Sequence, residues 1–294
     1  MSRHRTGLIF GFTAYVLWGL FPLYWPLLKP AGAFEIVAHR AIWSLVFCLL
    51  ALAATKQLSG TFALLKDSRI MRRLLLATLL ISINWLVYIW AVNHHHVVDA
   101  SLGYYMNPLV SIGFGVISLK ERMRKLQWFS VSVATVGVII LTIDAGTFPW
   151  VALSLAFSFG SYGFVKKKLN LGALQGLTME TLILFIPFTT YIVWLSQKNE
   201  GSFGVNGKVT FFMILGGAVT AVPLLLFNGS TTRIPLSILG LIQFLTPTIQ
   251  FLIGVFVRHE SMPAARWAGF FIIWIALCAL AYDLYKPQEI KQSA

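Results

Sequence analysis

Ten times along the chain, a run of about 18–24 residues passes with almost no charge, at roughly 7–28, 35–54, 73–92, 97–119, 126–143, 148–165, 177–196, 209–230, 234–257 and 266–285. A helix of about 20 apolar residues crosses the hydrocarbon layer of a bilayer. A chain interrupted this regularly has little freedom to fold otherwise. Composition agrees: 57% of the 294 residues are hydrophobic and 11% are charged, against about 25% charged in a soluble domain. The alternation expected of a membrane β-barrel is absent. The longest connections, 55–72 and 197–208, carry the Gly, Ser, Lys and Asp typical of loops. No stretch accommodates a separate soluble domain. The expected class is therefore an all-α membrane protein of ten transmembrane helices. Its first run, preceded by "MSRHR", is too long for a signal-peptide core and reads as a retained helix.

The formal charge of +13 would fit a nucleic-acid binder, but its distribution argues otherwise. With the N-terminus placed in the cytoplasm, 17 of the 23 Lys and Arg residues fall in inner segments and 5 in outer ones, with Arg40 inside a span. That bias predicts both termini inside. It accounts for the basic balance through the lipid bilayer, with no nucleic acid. Cys48 and Cys278 lie deep in apolar runs, which excludes a disulfide framework or a cysteine metal site.

The chain also repeats. Shifted by 139 residues, "SLGYYMNPLVSIGFG" falls on "GLIQFLTPTIQFLIG". Tyr104 meets Gln243, Pro108 meets Pro247, Ser111 meets Gln250, Gly115 meets Gly254, and further on Glu121 meets Glu260. Spacings of three and four put the matched positions on one small or polar helical face. Five spans per half make the second half enter from the opposite side, so 1–145 and 146–294 read as inverted repeats, a plan used by secondary transporters. Pro108 and Pro247 each remove a backbone donor at the centre of a span and are expected as helix breaks lining a cavity. A kink serving packing alone is the alternative.

Among individual residues, "EIVAHRAIW" stands out. Glu35 and His39 share a helix face, and Arg40 is turned about 100° from His39. Ionisable groups at membrane depth usually face a cavity or a partner. Snorkelling of Arg40 to headgroups is the competing reading. At a shift of 141, Glu180 matches His39 near the other mouth. These four are expected to recognise a ligand or gate its path. Asn84 and Tyr88 in "NWLVYIWAVN", Tyr104 and Asn107 in span four, and Gln243 and Gln250 in span nine are expected to line the cavity. Packing between membrane helices explains Asn84 and Tyr88 equally well, whereas Gln243 and Gln250, with Asn228 in span eight, fit a wet cavity better than interhelical bonding. An arginine here favours an anionic or zwitterionic small molecule. The three adjacent histidines 94–96 cannot converge on one metal ion and read as an outer loop. "KERMRK" (120–125) and "KKK" (166–168) read as inner basic turns facing anionic lipid. No phosphate-binding glycine loop and no catalytic triad spacing is present, so the chain calls for no cofactor, no metal and no catalytic residue. A homodimer is compatible with it.

"AHRAIWS", "NWLVYIWAVN", "ASLGYYMNPL", "ERMRKLQW" and "AFSFGSYGFVKKK" together resemble the RarD branch of the EamA proteins in the drug/metabolite transporter superfamily, over about residues 7–285. The resemblance implies a ten-helix carrier of the bacterial inner membrane. It also implies export or exchange of small metabolites or drugs, and members are often labelled as chloramphenicol-sensitivity or permease proteins. The chain departs from that pattern where Lys120 and His259 replace the Gly usual before Glu121 and Glu260. Two other readings stay open: a membrane enzyme acting on a lipid-linked substrate, and a non-transporting partner subunit.

Overall fold

The computed structural model describes residues 2–93, 97–145, 149–257, 259 and 264–285. Among the described residues every regular element is a helix, and none is a strand. In chain order the helices are α1 (Arg3–Gly19), α2 (Phe21–Tyr24), which runs into a 3-10 turn (Trp25–Leu28), α3 (Ala33–Ala54), α4 (Leu58–Ala63), α5 (Ser68–Asn93), α6 (Val97–Gly113), α7 (Lys125–Ala145), α8 (Trp150–Leu169), α9 (Ala173–Gln197), α10 (Gly207–Thr231), α11 (Leu236–Gln243), α12 (Leu245–Phe256) and α13 (Ala264–Tyr285). Among the described residues, seven segments are long and apolar enough to cross a membrane. They correspond to the expected spans one, two, three, five, seven, eight and nine. Two of the other three fall short for visible reasons: helix α6 gives way to a π-helical turn at Phe114–Ser118, and α8 carries Lys166–Lys168 in its last turn. In α13, the residues whose side chains are described form an apolar helix over Trp267–Asp283.

Local chemistry sets the helix ends. Ser2 accepts from the Arg5 N–H at 3.2 Å, Asp67 Oδ1 from Arg69 and Ile70, and Asn206 Oδ1 from Lys208 and Val209. Each satisfies donors that a helix start leaves unpaired. Helix α8 ends at Asn170, whose φ of 48° is the left-handed conformation that asparagine tolerates. Lys120 and His259 also adopt it, at φ 55° and 54°. The turn geometry that the missing glycines put in question is therefore kept, at the cost of strain on two ordinary side chains.

Polar contacts define two ends of the bundle. At the terminal end, Arg3 donates to the Thr232 carbonyl and Arg124 meets Asp283. At the opposite end, Glu35 Oε1 accepts from Ser202 and Phe203, and Trp90 packs on Trp150. Helix α3 is wedged between α9 and α10. Its Ser44 hydroxyl donates to the Gly217 carbonyl at 2.9 Å. A methyl group at Gly217 would lie 2.4 Å from the Trp43 carbonyl carbon, so only glycine permits this approach.

The two expected helix breaks behave differently. Proline lacks a donor and clashes with the carbonyl four residues earlier. For Pro247 that residue is Gln243, and the chain does break between α11 and α12, at Phe244. Pro108 corrects the expectation: it sits inside an unbroken α6. Helix α11 packs so close there that a methyl group at Gly240 would lie 2.9 Å from the Pro108 carbonyl. Neighbouring helices of this kind are what hold proline-containing membrane helices together.

Candidate functional site

A cavity of about 540 Å³ opens between α1–α2, α3, α5, α6, α8, α10 and the broken α11–α12 pair. It reaches from exposed Lys29, at the end opposite the termini, down to Tyr15, Phe159, Leu224 and Gln243. This size is typical of small-molecule sites. Prolines 22, 26 and 30 prevent α1 from continuing and turn its end into a short coil of helix, which presents Phe21 and Trp25 to the cavity.

Arg40 is the central charge. It enters from the second turn of α3, and its Nε donates to Thr220 Oγ1 at 2.8 Å. Its guanidinium carbon lies 4.7 Å from the Trp25 ring centroid, 5.5 Å from that of Trp85 and 6.0 Å from that of Phe21. Aromatic faces stabilise a cation without neutralising it. Tyr24, beside this group, donates its hydroxyl to the Phe212 carbonyl. Among the described residues, no carboxylate lies within ion-pair distance of Arg40, and no acidic residue lines the cavity.

The polar walls are held in place by the helices behind them. Asn84 Nδ2 donates to the Leu155 carbonyl and to Ser158 Oγ, both at 3.0 Å. Gln243 Oε1 accepts from the Tyr15 and Ser111 hydroxyls at 3.5 Å, and Gln250 Nε2 donates to the Trp18 carbonyl at 3.3 Å. The Tyr88 and Tyr104 rings meet edge to face at 6.0 Å. Asn107 lines the cavity and is buried, with its Oδ1 unpartnered among the described residues. Arg40, Asn84, Tyr88, Tyr104, Asn107, Pro247, Gln243 and Gln250 thus share one cavity.

Glu35, His39 and Glu180 do not join them. Helical geometry separates the first two from Arg40, since their face points at another neighbour. Glu35 Oε1 accepts from the backbone of Ser202 and Phe203 at 2.7 and 3.2 Å, and His39 stacks on Phe203 at 4.5 Å. Both tether the α9–α10 loop. Glu180 pairs with Lys166 at 2.6 Å, with side-chain exposures of 2% and 5%. It also accepts from the Tyr162 hydroxyl at 3.1 Å, while Tyr162 lies 3.4 Å from Asn228 Oδ1. Lys166 is thus buried and ion-paired rather than facing lipid. An aromatic layer of Tyr15, Trp18, Phe159, Tyr162 and Phe227 separates this pair from the cavity.

A second seal lies nearer the terminal end. Both Glu121 oxygens cap the start of α11, accepting from the Leu236 N–H, the Ser237 N–H and the Ser237 hydroxyl, each at 2.8 Å. Lys167 lies 3.5 Å from the same carboxylate and donates to the Ile234 carbonyl at 2.7 Å. Glu121 is therefore structural, and not merely part of a basic turn. The histidine run 94–96 and Glu260 lie outside the residues whose side chains are described.

Known proteins share both sequence and fold with this chain. The pattern of the EamA-like transporter family matches residues 5–143. Protein RarD of Streptomyces exfoliatus is 48% identical over 96% of this chain and 90% of its own length. The chain belongs to the EamA-like transporter family, in its RarD branch. Other relatives include the uncharacterized transporter YojE of Bacillus subtilis, at 42% identity over 99% of both chains, and Protein RarD of Escherichia coli, at 38% over 98% of both. One solved crystal structure superposes with a TM-score of 0.69 at 17% identity, covering 95% of this chain and 99% of that one, a likeness of fold alone. In this EamA-like chain the family match ends within α7, yet the cavity also draws on α8, α10, α11 and α12.

Sequence reasoning missed Phe21, Trp25 and Lys29. The signal was present in "FPLYWPLLKP", where three prolines interrupt an apolar helix beside large aromatics.

Proposed function

We propose that this protein is a secondary transporter of the bacterial inner membrane, moving small molecules by alternating access. The observation that carries the reading is a cavity open toward one end of the bundle and shut off from the other by an aromatic layer, a buried ion pair and a capped helix. In this reading the chain spans the membrane ten times, as two inverted five-helix repeats at 1–145 and 146–294, with both termini cytoplasmic. The packing pattern supports it. Contacts of α1 with α10 and of α5 with α8 exchange when the halves are swapped, and the pairs α3–α9, α6–α11 and α7–α13 map onto themselves. The left-handed residues Lys120 and His259 stand 139 positions apart, at the offset of the sequence repeat.

Arg40, Asn84, Tyr88, Tyr104, Asn107, Gln243 and Gln250 would bind the transported molecule. Glu180, with Lys166, would seal the cytoplasmic side, and Glu35 and His39 would hold the outer loop. The relatives named as transporters agree with this reading and against an enzyme. The test is flux of a pooled metabolite mixture across proteoliposomes of purified protein, read by mass spectrometry against protein-free vesicles. Saturable movement of one compound class is the expected result. No movement by folded, correctly inserted protein, with and without a pH gradient, would overturn the reading.

A further inference from the structure

We propose that the cavity selects an organic monoanion: one carboxylate on a planar apolar body, with no cationic group. This names the cargo class of the transporter reading and rests on it.

The argument begins with charge. A guanidinium removed from bulk water needs a counter-charge. Every described carboxylate close enough in sequence or space to serve is committed elsewhere. Glu35 is bonded to the backbone of Ser202 and Phe203, Glu180 to Lys166, and Glu121 to the start of α11. Among the described residues, the one hydrogen bond that Arg40 donates uses Nε, which leaves its two Nη groups, the fork that matches a carboxylate, for a ligand. Lys29 at the mouth adds a second positive charge on the approach.

The walls decide the remainder of the molecule. Phe21, Trp25, Trp85, Tyr88 and Tyr104 surround the space beside Arg40, and Trp18 and Phe159 continue it inward. Flat rings stack on such faces at little entropic cost. A purely polar acid would leave them wet. A zwitterion would bring an ammonium into a cavity in which, among the described residues, no carboxylate receives it. The sequence-level choice between an anion and a zwitterion is therefore resolved in favour of the anion.

The probe is radiolabelled 2-naphthoate, bound to detergent-purified full-length protein in a scintillation-proximity assay. Competitors are 2-naphthamide, 2-naphthylmethylammonium, 2-naphthyl phosphate and acetate. Each is expected to compete at least about tenfold more weakly than naphthoate, because each loses the charge, its sign, the one-to-one balance with a single guanidinium or the apolar body. Arg40→Gln should weaken naphthoate about 10- to 100-fold. Arg40→Lys, which keeps the charge but not the fork, should fall between. Lys29→Gln should mainly flatten the dependence of association on salt. Competition by the amide or the ammonium within threefold of naphthoate, or no naphthoate binding at all, overturns the proposal using wild-type protein alone. Wild-type-like naphthoate affinity in folded Arg40→Gln also overturns it. Liposome flux separates the two readings. Naphthoate that binds selectively while neither it nor any pooled metabolite crosses faster than in protein-free vesicles supports the anion site and refutes the transporter; naphthamide that crosses faster than in protein-free vesicles while naphthoate does not refutes the anion site and leaves the transporter standing.

Discussion

Replacing Glu121 with glutamine should loosen the closed end of the bundle. The carboxylate accepts three hydrogen bonds of 2.8 Å from Leu236 and Ser237 and faces Lys167 at 3.5 Å, with only 11% of its side chain exposed. Glutamine has one oxygen where glutamate has two, so at least one charge-assisted hydrogen bond is lost, worth about 1.5–3 kcal/mol. The negative charge at the start of α11 is lost as well, worth about 0.3–1 kcal/mol. A total near 2–3 kcal/mol corresponds to about 30- to 150-fold in the opening equilibrium of the first turn of α11. Hydrogen–deuterium exchange with mass spectrometry reads this directly, since the amides of Leu236 and Ser237 are the ones capped. Peptides covering 236–239 should exchange faster by that factor, while peptides from α10 should not change. Gly115→Ala should reproduce the effect without touching a charge, because its methyl group would lie 2.5 Å from Glu121 Oε2 and 2.8 Å from the Ser237 nitrogen. Exchange within threefold of wild type in both variants would refute the claim that this contact holds the end closed.

Three further outcomes follow from the packing. Glu180→Leu, which strands the Lys166 charge, should destabilise the detergent-solubilised protein by about 3–5 kcal/mol, whereas Lys166→Met with Glu180→Leu should recover most of that loss in thermal unfolding. Gly217→Ala should separate α3 from α10 and cost at least about 1–3 kcal/mol, seen as a lowered thermal midpoint, since no rotamer change moves the Trp43 backbone away. Lys120→Gly should raise the midpoint slightly, by about 2 °C, because it relieves a left-handed lysine while adding some unfolded-state freedom.

Much of the fold was legible because the apolar runs are its cause: a helix that must satisfy its backbone in lipid declares itself by length. The cavity was legible for a related reason. Polar residues in a hydrocarbon context stand out, and Arg40, Asn84, Tyr88, Tyr104, Asn107, Gln243 and Gln250 were visible as anomalies. Where the reading failed, the deciding contact was remote in sequence. Glu121 caps a helix that begins 115 residues later, and no local rule connects the two. Lys166 looked like one of three headgroup anchors. Its spacing of four from Tyr162 puts it on the buried face, but only the arrival of Glu180 from α9 makes burial tolerable. Glu35 and His39 were drawn to the cavity by their nearness in sequence to Arg40, although the helical turn sends them elsewhere.

The two seals of the closed end differ in which parts of the chain they join. Lys166 and Glu180 both belong to the second half, on neighbouring helices α8 and α9. Glu121 belongs to the first half and grips the second. In the proposed alternating-access cycle, with the halves rocking against one another, the first pair would travel as a preassembled neutral unit, its desolvation incurred during folding and not again in the cycle. The Glu121 contact would have to come apart and be rehydrated at every turn. The rate of that cycle would then be governed by one carboxylate at the junction of the halves, with the deeper ion pair a passenger.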